Sequence, residues 1–300
     1  MSKMTMHDKS SLLSPEFLSK LEQLELVARR LLLGRFKGDR LSKRKGTSVE
    51  FADHRHYVVG DDFRFLDWNL YARLDKLFIR LFQEEEDLQL NVLLDVSRSM
   101  EFGHPSKLHY AKQIAAALAY IGLGNMDRVN LGGLGSRYIP GPRTLRGKKT
   151  MPRVLEFLEG LQPHEAGHLV SATKAFCVQA ASRGIVVLLS DFLDKAGFEE
   201  PLRILLARRM EVYIVQVLAP EEIEPVLQGD LKLLDIEDED LAEITVTPAL
   251  IQRYKKNLAA YQSAMSNFCR QRGIQFMSTS TAEPFDKLVL SQLRRRGLVR

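Results

Sequence analysis

Four oxygen-bearing side chains stand at the ends of two apolar runs in the sequence. Asp95, Ser97 and Ser99 occupy alternate positions after the first run, and Asp191 follows the run Gly184–Ser190. Ligands of open α/β sheets bind beyond the carboxyl ends of strands, where the strand order reverses. A carboxylate and two hydroxyls there suit a hard cation such as Mg²⁺, which takes about six oxygen ligands near 2.1 Å. The pattern therefore predicts a metal site. The alternative is a capped turn, because Asp and Ser also accept backbone N–H bonds.

The rest of the chain alternates apolar runs with amphipathic stretches. This alternation predicts an α/β fold with a doubly wound, mostly parallel sheet. Two antiparallel hairpins are also predicted. One joins Val129–Leu134 to Tyr138–Pro140, and a small inserted hairpin near residues 220–247 flanks the acidic stretch 235–240.

The N-terminal part has a different composition. Ser14 and Pro15 begin a predicted helix that ends near Gly34. Residues 29–55 carry nine Lys or Arg against three acids and no long apolar run, which predicts a basic loop. A nucleic-acid arm is one interpretation; a solvated loop, or one that meets an acidic protein surface, is the other. Aromatic residues for base stacking are not interleaved here, which favours the second.

The composition sets the broad class. The chain has 300 residues, 45% of them hydrophobic, and a net charge of +5, as expected of a globular protein. Its two cysteines, Cys177 and Cys269, fall in predicted helices, so neither a disulfide framework nor a zinc cluster is expected. No apolar run approaches the roughly 18 residues of a membrane helix, and the polar N-terminus lacks a signal-peptide core. We expect a cytoplasmic, soluble protein.

Residues 49–73 mix charges and aromatic side chains densely around the single tryptophan. Two interpretations stay open. Arg64, Asp67, Trp68 and Arg73 form a partner-binding surface, or the two arginines pair with nearby aspartates (Asp61, Asp62 or Asp67) in a structural network.

Two motifs resemble a known family. The segment Asp95-Val-Ser-Arg-Ser99 resembles the metal-ion-dependent adhesion site of von Willebrand factor A-like domains. The segment Val49–Glu84 is similar to the block that precedes this site in a bacterial family catalogued as domain of unknown function fifty-eight; its matching pieces are Glu50-Phe, Arg55-x-Tyr57, Gly60-Asp-Asp-x-Arg64, Asp67-Trp68 and Ala72-Arg73. The similarity runs from about Arg40 to the C-terminus.

The resemblance implies a Rossmann-like sheet and two parts of the chain. Residues 1–86 would pack as a helix, a basic loop and a family-specific segment on the main domain. Residues 87–300 would form the von Willebrand factor A-like domain with its inserted hairpin.

The resemblance also implies a ligand set. Asp95, Ser97 and Ser99 would hold Mg²⁺ directly or through water, Asp191 would join through water, and a partner's carboxylate would complete the shell. Mn²⁺ and an empty site stay open. Related domains place a Thr ligand in a loop where this chain has His168, and imidazole is a poorer ligand for magnesium. Residues Ser171 and Thr173 are the alternatives for that position.

The function that the resemblance implies is non-enzymatic. Family members resemble partners of MoxR-type AAA+ ATPases, which implies an adaptor or chaperone-like protein. The enzymatic alternative is a metal-dependent phosphatase. Phosphatases with a similar strand-end Asp need a second acid two residues later as general acid, where this chain has Ser97. The sequence contains neither a P-loop nor a nucleophile elbow.

Overall fold

The computed structural model describes residues 12–13, 49–84, 89–143, 145–164, 169–180, 184–194, 196–226, 229–234 and 241–293. The chain divides into two compact units, one of Met1–Leu32 with Leu88–Arg300 and one of Leu33–Asp87. The predicted N-terminal helix, residues 29–48 of the basic segment, His168 and the acidic stretch 235–240 lie outside the described residues. The predicted packing of residues 1–86 on the main domain stays a prediction.

Strands and helices alternate along the described parts of both units. The strands are β1 (Val49–His56), β2 (Phe78–Glu84), β3 (Gln89–Asp95), β4 (Arg128–Leu134), β5 (Tyr138–Pro140), β6 (Ile185–Ser190), β7 (Glu211–Leu218), β8 (Gly229–Leu234), β9 (Leu241–Val246) and β10 (Gln275–Ser280). The helices are α1 (Trp68–Leu74), α2 (Lys107–Gly124), α3 (Met151–Gly160), α4 (Leu169–Gln179), α5 (Glu199–Ala207), α6 (Pro220–Ile223), α7 (Pro248–Gln271) and α8 (Phe285–Lys287), which continues as a π-helical segment, Leu288–Leu293. Short 3₁₀ helices cover Phe63–Phe65, Arg98–Glu101 and Lys148–Thr150.

The central sheet has six strands in the order β10-β7-β6-β3-β4-β5. All neighbouring pairs are parallel except β4 with β5. The chain leaves β3 towards β4 on one side and returns to β6 on the other, so the strand order reverses beside β3. The predicted α/β class, with a Rossmann-like, mostly parallel sheet, is confirmed, and the reversal puts a ligand-binding crevice at the carboxyl ends of β3 and β6.

Burial on both faces fixes β3 at the centre of the sheet. Side chains of a strand alternate between the faces, so Val92 and Leu94 point to one side and Leu93 to the other. The first two join a core with the Ala-rich helix α2, and Leu93 joins a second core with Phe176 of α4 and Met265 of α7. Helices therefore cover both faces, and the continuous apolar run of β3 is explained.

Both predicted hairpins are present. Strand β5 pairs antiparallel with β4, and β8 pairs antiparallel with β9 from Gly229–Val246 to Leu234–Leu241. The inserted hairpin therefore lies within residues 220–247, as predicted.

The unit Leu33–Asp87 contains a third antiparallel pair, which was not predicted. Strand β1 pairs with β2, with a β-bulge between Phe51 and Asp53. The predicted loop over residues 29–55 is therefore wrong from Val49 onward. The strand was missed because its polar residues do not alternate regularly with apolar ones.

Two further expectations concern the described residues only. Cys177 and Cys269 are buried free thiols in α4 and α7. This agrees with the expectation that the two cysteines do not form a disulfide. None of the helices in the described ranges combines the length and the apolar character that crossing a membrane requires.

Candidate metal site at the carboxyl edge of the sheet

Asp95 and Ser190 join the ends of the two strands beside the reversal point. Asp95 is the last residue of β3, and Ser190 is the last residue of the neighbouring strand β6. The Ser190 hydroxyl donates to Asp95 Oδ2 at 2.6 Å and accepts from the backbone N–H of Phe192 at 2.9 Å. One hydroxyl therefore connects the Asp95 carboxylate to the turn that follows β6. Ser190 was not predicted as a site residue, because it is the last residue of an apolar strand.

The two predicted serine ligands lie side by side. The backbone N–H of Ser97 donates to Asp95 Oδ1 at 2.9 Å, which is the capping bond of the alternative interpretation. The hydroxyls of Ser97 and Ser99 are hydrogen-bonded to each other, with their oxygens 3.0 Å apart. A 3₁₀ helix covers Arg98–Glu101 with Ser97 in extended conformation as its N-cap residue, and the hydroxyls of residues 97 and 99 meet at this turn. Capping and a paired hydroxyl arrangement therefore coexist in one turn.

Asp191 is held in place by bonds to both of its carboxylate oxygens. Its Oδ1 accepts from the backbone N–H of Leu193 at 3.1 Å, and its Oδ2 accepts from Lys107 Nζ at 2.7 Å. Its own carbonyl accepts from Gln216 Nε2 at 3.0 Å. The side chain is 3% exposed. Asp191 therefore has a fixed orientation at the edge of the sheet.

The next residue, Phe192, makes the turn after Asp191 possible. Its φ of 56° lies in the left-handed region, and its side chain is 1% exposed. The Tyr261 hydroxyl of α7 donates to the Phe192 carbonyl at 2.5 Å. Packing and hydrogen bonds from β7 and α7 thus hold a backbone conformation that a bulky residue adopts only at a cost.

Lys107 brings a buried positive charge to this edge. It is the first residue of α2, and its ammonium contacts Asp191 at 2.7 Å and Glu222 Oε1 at 2.5 Å. Burial would lower the pKa of Lys107, but the attraction of the two carboxylates outweighs it, so the pKa is raised and the ammonium stays charged. Neither Lys107 nor Glu222 was singled out from the sequence, since they lie 84 and 115 positions from their partners along the chain.

The electrostatics of Asp95 differ from those of Asp191. Burial first, and then repulsion from Asp191, raise the pKa of Asp95 to about 6, against its ordinary 3.8. Hydrogen bonds from Ser190 and Ser97 act in the opposite direction without overcoming these effects. Among the described residues, Asp95 is hydrogen-bonded by Ser190 and Ser97, neither of which carries a charge. Two carboxylates near each other, one of them without a cationic hydrogen-bond partner in the described part of the chain, would attract a cation.

These groups fit a magnesium ion. In an octahedral shell with ligand distances near 2.1 Å, two neighbouring oxygens are about 3.0 Å apart, which matches the observed 3.0 Å between Ser97 Oγ and Ser99 Oγ. In the part of the chain that the structure describes, no group of three or more His, Cys, Asp or Glu side chains could hold a metal ion. A cation here would accordingly be bound by one carboxylate, two hydroxyls and water.

The predicted supplementary ligands have separate outcomes. His168 lies outside the described residues. Ser171 lies exposed in the first turn of α4, and its role as a ligand stays a prediction. Thr173 is buried and donates its hydroxyl to the Leu169 carbonyl at 2.7 Å, which commits that hydroxyl within its own helix. His164 is bonded to the turn after β3, since its backbone N–H donates to the Val96 carbonyl at 2.8 Å.

The four predicted partner-binding residues lie in the unit Leu33–Asp87. Trp68 is 63% exposed at the start of α1, and Arg73 is exposed in its last turn. Arg64 pairs with Asp62 at 2.6 Å, as one interpretation proposed. Asp67 is buried and caps α1 by accepting from two backbone N–H groups. Arg64 and Asp67 therefore have structural partners, and a binding role for all four residues stays a prediction.

The fold and this edge describe an α/β protein with a carboxylate–hydroxyl site at the reversal point of a parallel sheet. The family model described as Protein of unknown function DUF58 matches residues 53–264, and the chain belongs to this family. It is 29% identical over 290 residues to the uncharacterized protein Rv1480 of Mycobacterium tuberculosis, covering 94% of this chain and 91% of the relative.

Solved structures resemble parts of the fold. The conserved hypothetical protein BatB from Bacteroides thetaiotaomicron aligns with a TM-score of 0.43 and 15% identity, over 70% of this chain and 99% of that chain. A von Willebrand factor type A protein from Catenulispora acidiphila aligns with a TM-score of 0.36 and 14% identity, over 47% of this chain and 34% of that chain. Likeness at this level says nothing about the site.

Proposed function

We propose that this protein is a non-enzymatic protein–protein interaction module that binds an acidic side chain of its partner through a divalent cation. Asp95, Ser97 and Ser99 would hold the ion, and Asp191 would contact it through water. Mg²⁺ is the expected ion, and the same oxygen ligands also suit Mn²⁺.

The observation that carries this proposal is the arrangement of Ser97 and Ser99 beside Asp95. Two hydroxyls separated by 3.0 Å next to a carboxylate with no cationic hydrogen-bond partner in the described residues offer three oxygens to one ion. Two of the three oxygens are neutral, so a bound divalent ion would keep positive charge. That charge, with the remaining open positions, favours an incoming carboxylate.

The partner class comes from the family resemblance and not from the geometry. A MoxR-type AAA+ ATPase that offers an Asp or Glu side chain is the partner to test. In this interpretation the protein acts as an adaptor or a chaperone-like component, and the cation site is the contact that depends on metal.

The experiment measures binding to a purified MoxR-type ATPase from the same organism, by surface plasmon resonance with Mg²⁺ and with EDTA. We expect chelation and Asp95→Ala each to weaken binding by roughly tenfold or more, because each removes the ion from the contact. Glu200→Ala is the matched control, since Glu200 is an exposed acid of α5 that pairs with Lys174 at 3.0 Å. It should leave the affinity unchanged.

Two results would overturn the proposal. Binding that is equal with Mg²⁺, with EDTA and in Asp95→Ala would remove the cation from the contact. Turnover of an aryl phosphate that depends on Mg²⁺ and on Asp95 would point instead to the phosphatase alternative.

A further inference from the structure

Lys107 brings a buried positive charge to the site, and it is not one of the residues that the sequence predicts as metal ligands. Its side chain is 1% exposed, and it lies between Asp191, which is 3% exposed, and Glu222, which is 16% exposed. These three side chains come from the start of α2, the end of β6 and the helix α6. Burying an ammonium group costs free energy of folding unless carboxylates pair with it. The two ion pairs are therefore needed to keep Lys107 charged at this position.

The contact determines how Asp191 can take part in cation binding. Both Asp191 oxygens are engaged, one by the Leu193 N–H at 3.1 Å and one by Lys107 Nζ at 2.7 Å. Direct ligation through Oδ2 would replace a buried ion pair. An intervening water, by contrast, can donate to the free lone pairs of either oxygen while both bonds persist.

The contact also changes the net charge of the cluster that Lys107, Asp191 and Glu222 form beside Asp95. Asp95, Asp191 and Glu222 carry three negative charges, and Lys107 cancels one of them. The remaining two charges balance one divalent ion. Without the ammonium, three charges would remain, and the site would favour a trivalent ion more strongly.

We propose that Lys107 is a resident positive charge of the cation site, which keeps Asp191 out of direct ligation and limits the site to divalent ions. This inference rests on the proposed cation site at Asp95. It makes Lys107 a positioning and selectivity residue that never touches the metal.

The test compares two substitutions of opposite charge effect. Lys107→Met keeps most of the apolar stem and removes the positive charge, and Glu222→Gln removes a negative charge and keeps the ammonium. Affinity is measured for Mn²⁺ by electron paramagnetic resonance and for Tb³⁺ by luminescence. Circular dichroism and thermal melting confirm that each variant is folded.

We expect Lys107→Met to bind Mn²⁺ roughly tenfold more tightly than the wild-type protein, and Glu222→Gln to bind it several-fold more weakly. The gain for Tb³⁺ in Lys107→Met should be larger than for Mn²⁺, because the Coulomb energy grows with the charge of the ion. A lysine that served only as a scaffold would instead lower the affinity for both ions when it is removed.

The outcomes separate this inference from the proposed function. If the wild-type protein binds Mn²⁺ and Lys107→Met does not bind Mn²⁺ and Tb³⁺ more tightly than the wild type, the role of Lys107 is wrong and the cation site stands. If neither the wild-type protein nor Lys107→Met binds Mn²⁺, the role of Lys107 and the cation site are both wrong. Should Lys107→Met fail to fold, Glu222→Gln decides by its sign: unchanged or tighter Mn²⁺ binding overturns the inference.

Discussion

Asp95 and Asp67 are buried to the same extent, and their electrostatics are opposite. Each is 7% exposed. Asp67 accepts from Arg80 Nε at 2.8 Å, contacts His54 Nε2 at 2.9 Å and caps α1, and the bonds from Arg80 and His54 hold its pKa well below the usual range. Asp95 has a hydroxyl and a backbone N–H as partners, and its pKa is raised to about 6. Arg80 supplies the countercharge for Asp67, whereas no described residue gives Asp95 a cationic hydrogen-bond partner, and the proposed cation would take that place.

The largest effect should come from exchanging each carboxylate for its amide. We expect Asp95→Asn to lower the Mn²⁺ affinity by roughly 100-fold, because the only charged direct ligand is lost. In cation-free buffer at neutral pH the same variant should melt at the same temperature or a few degrees higher, since a buried charge without a counterion is removed. Isothermal titration calorimetry and thermal melting measure the two effects.

Asp67→Asn is the matched control for this exchange. It should melt at a lower temperature, because Arg80 and His54 lose their carboxylate, and it should bind Mn²⁺ as the wild-type protein does. If Asp67→Asn lost Mn²⁺ binding, or if Asp95→Asn kept it, the contrast between the two aspartates would be wrong.

A smaller effect is expected from pH. The folded-state pKa of Asp95 is raised from 3.8 to about 6, so its contribution to stability is present below the ordinary value and is lost as pH rises through this window. A cation must displace the proton. Mn²⁺ affinity should therefore rise by up to roughly tenfold per pH unit below 6 and level off above it.

Titrations with Mn²⁺ at several pH values between 5 and 8 measure this dependence. Asp95→Asn, in which residue 95 does not titrate, serves as the reference for any pH dependence of other origin. A wild-type affinity that is constant across this range would mean that Asp95 does not carry the titrating charge.

The smallest effect should separate the hydroxyls. We expect Ser99→Ala to weaken Mn²⁺ binding by roughly three- to tenfold, since one neutral ligand is replaced by water. Ser171→Ala tests the predicted supplementary ligand, because it removes one hydroxyl group just as Ser99→Ala does. Equal losses in the two variants would place Ser171 in the shell, and a loss only in Ser99→Ala would exclude it.

The sequence was sufficient for the fold and for the position of Asp95 and Asp191 at neighbouring strand ends. The apolar runs before Asp95 and Asp191 determine buried parallel strands, and the reversal beside β3 brings their ends together. The longer helices and both hairpins of the larger unit follow from apolar periodicity and turn residues, whereas the short helix α6 was not predicted. These features are local, so a single sequence contains them.

The parts that were missed depend on contacts between distant residues or on weak local signals. Lys107 meets Asp191 across 84 positions, and no spacing rule relates the two. Strand β1 and helix α1 were also missed. The strand lacks a clear apolar alternation, whereas the Asp67 cap at the start of α1 was a readable signal, because Asp is a preferred capping residue.

Phe192 has a consequence for how changes in the core reach the sheet edge. A left-handed backbone costs a side-chain-bearing residue about 1–2 kcal/mol, and glycine would remove that cost. Glycine would also leave a cavity, because the phenyl ring is 1% exposed and belongs to the core shared with α5 and α7. Phe192 therefore both sets the backbone turn after Asp191 and fills the core with its ring. A change in the packing around this ring would shift the Asp191 carboxylate next to it.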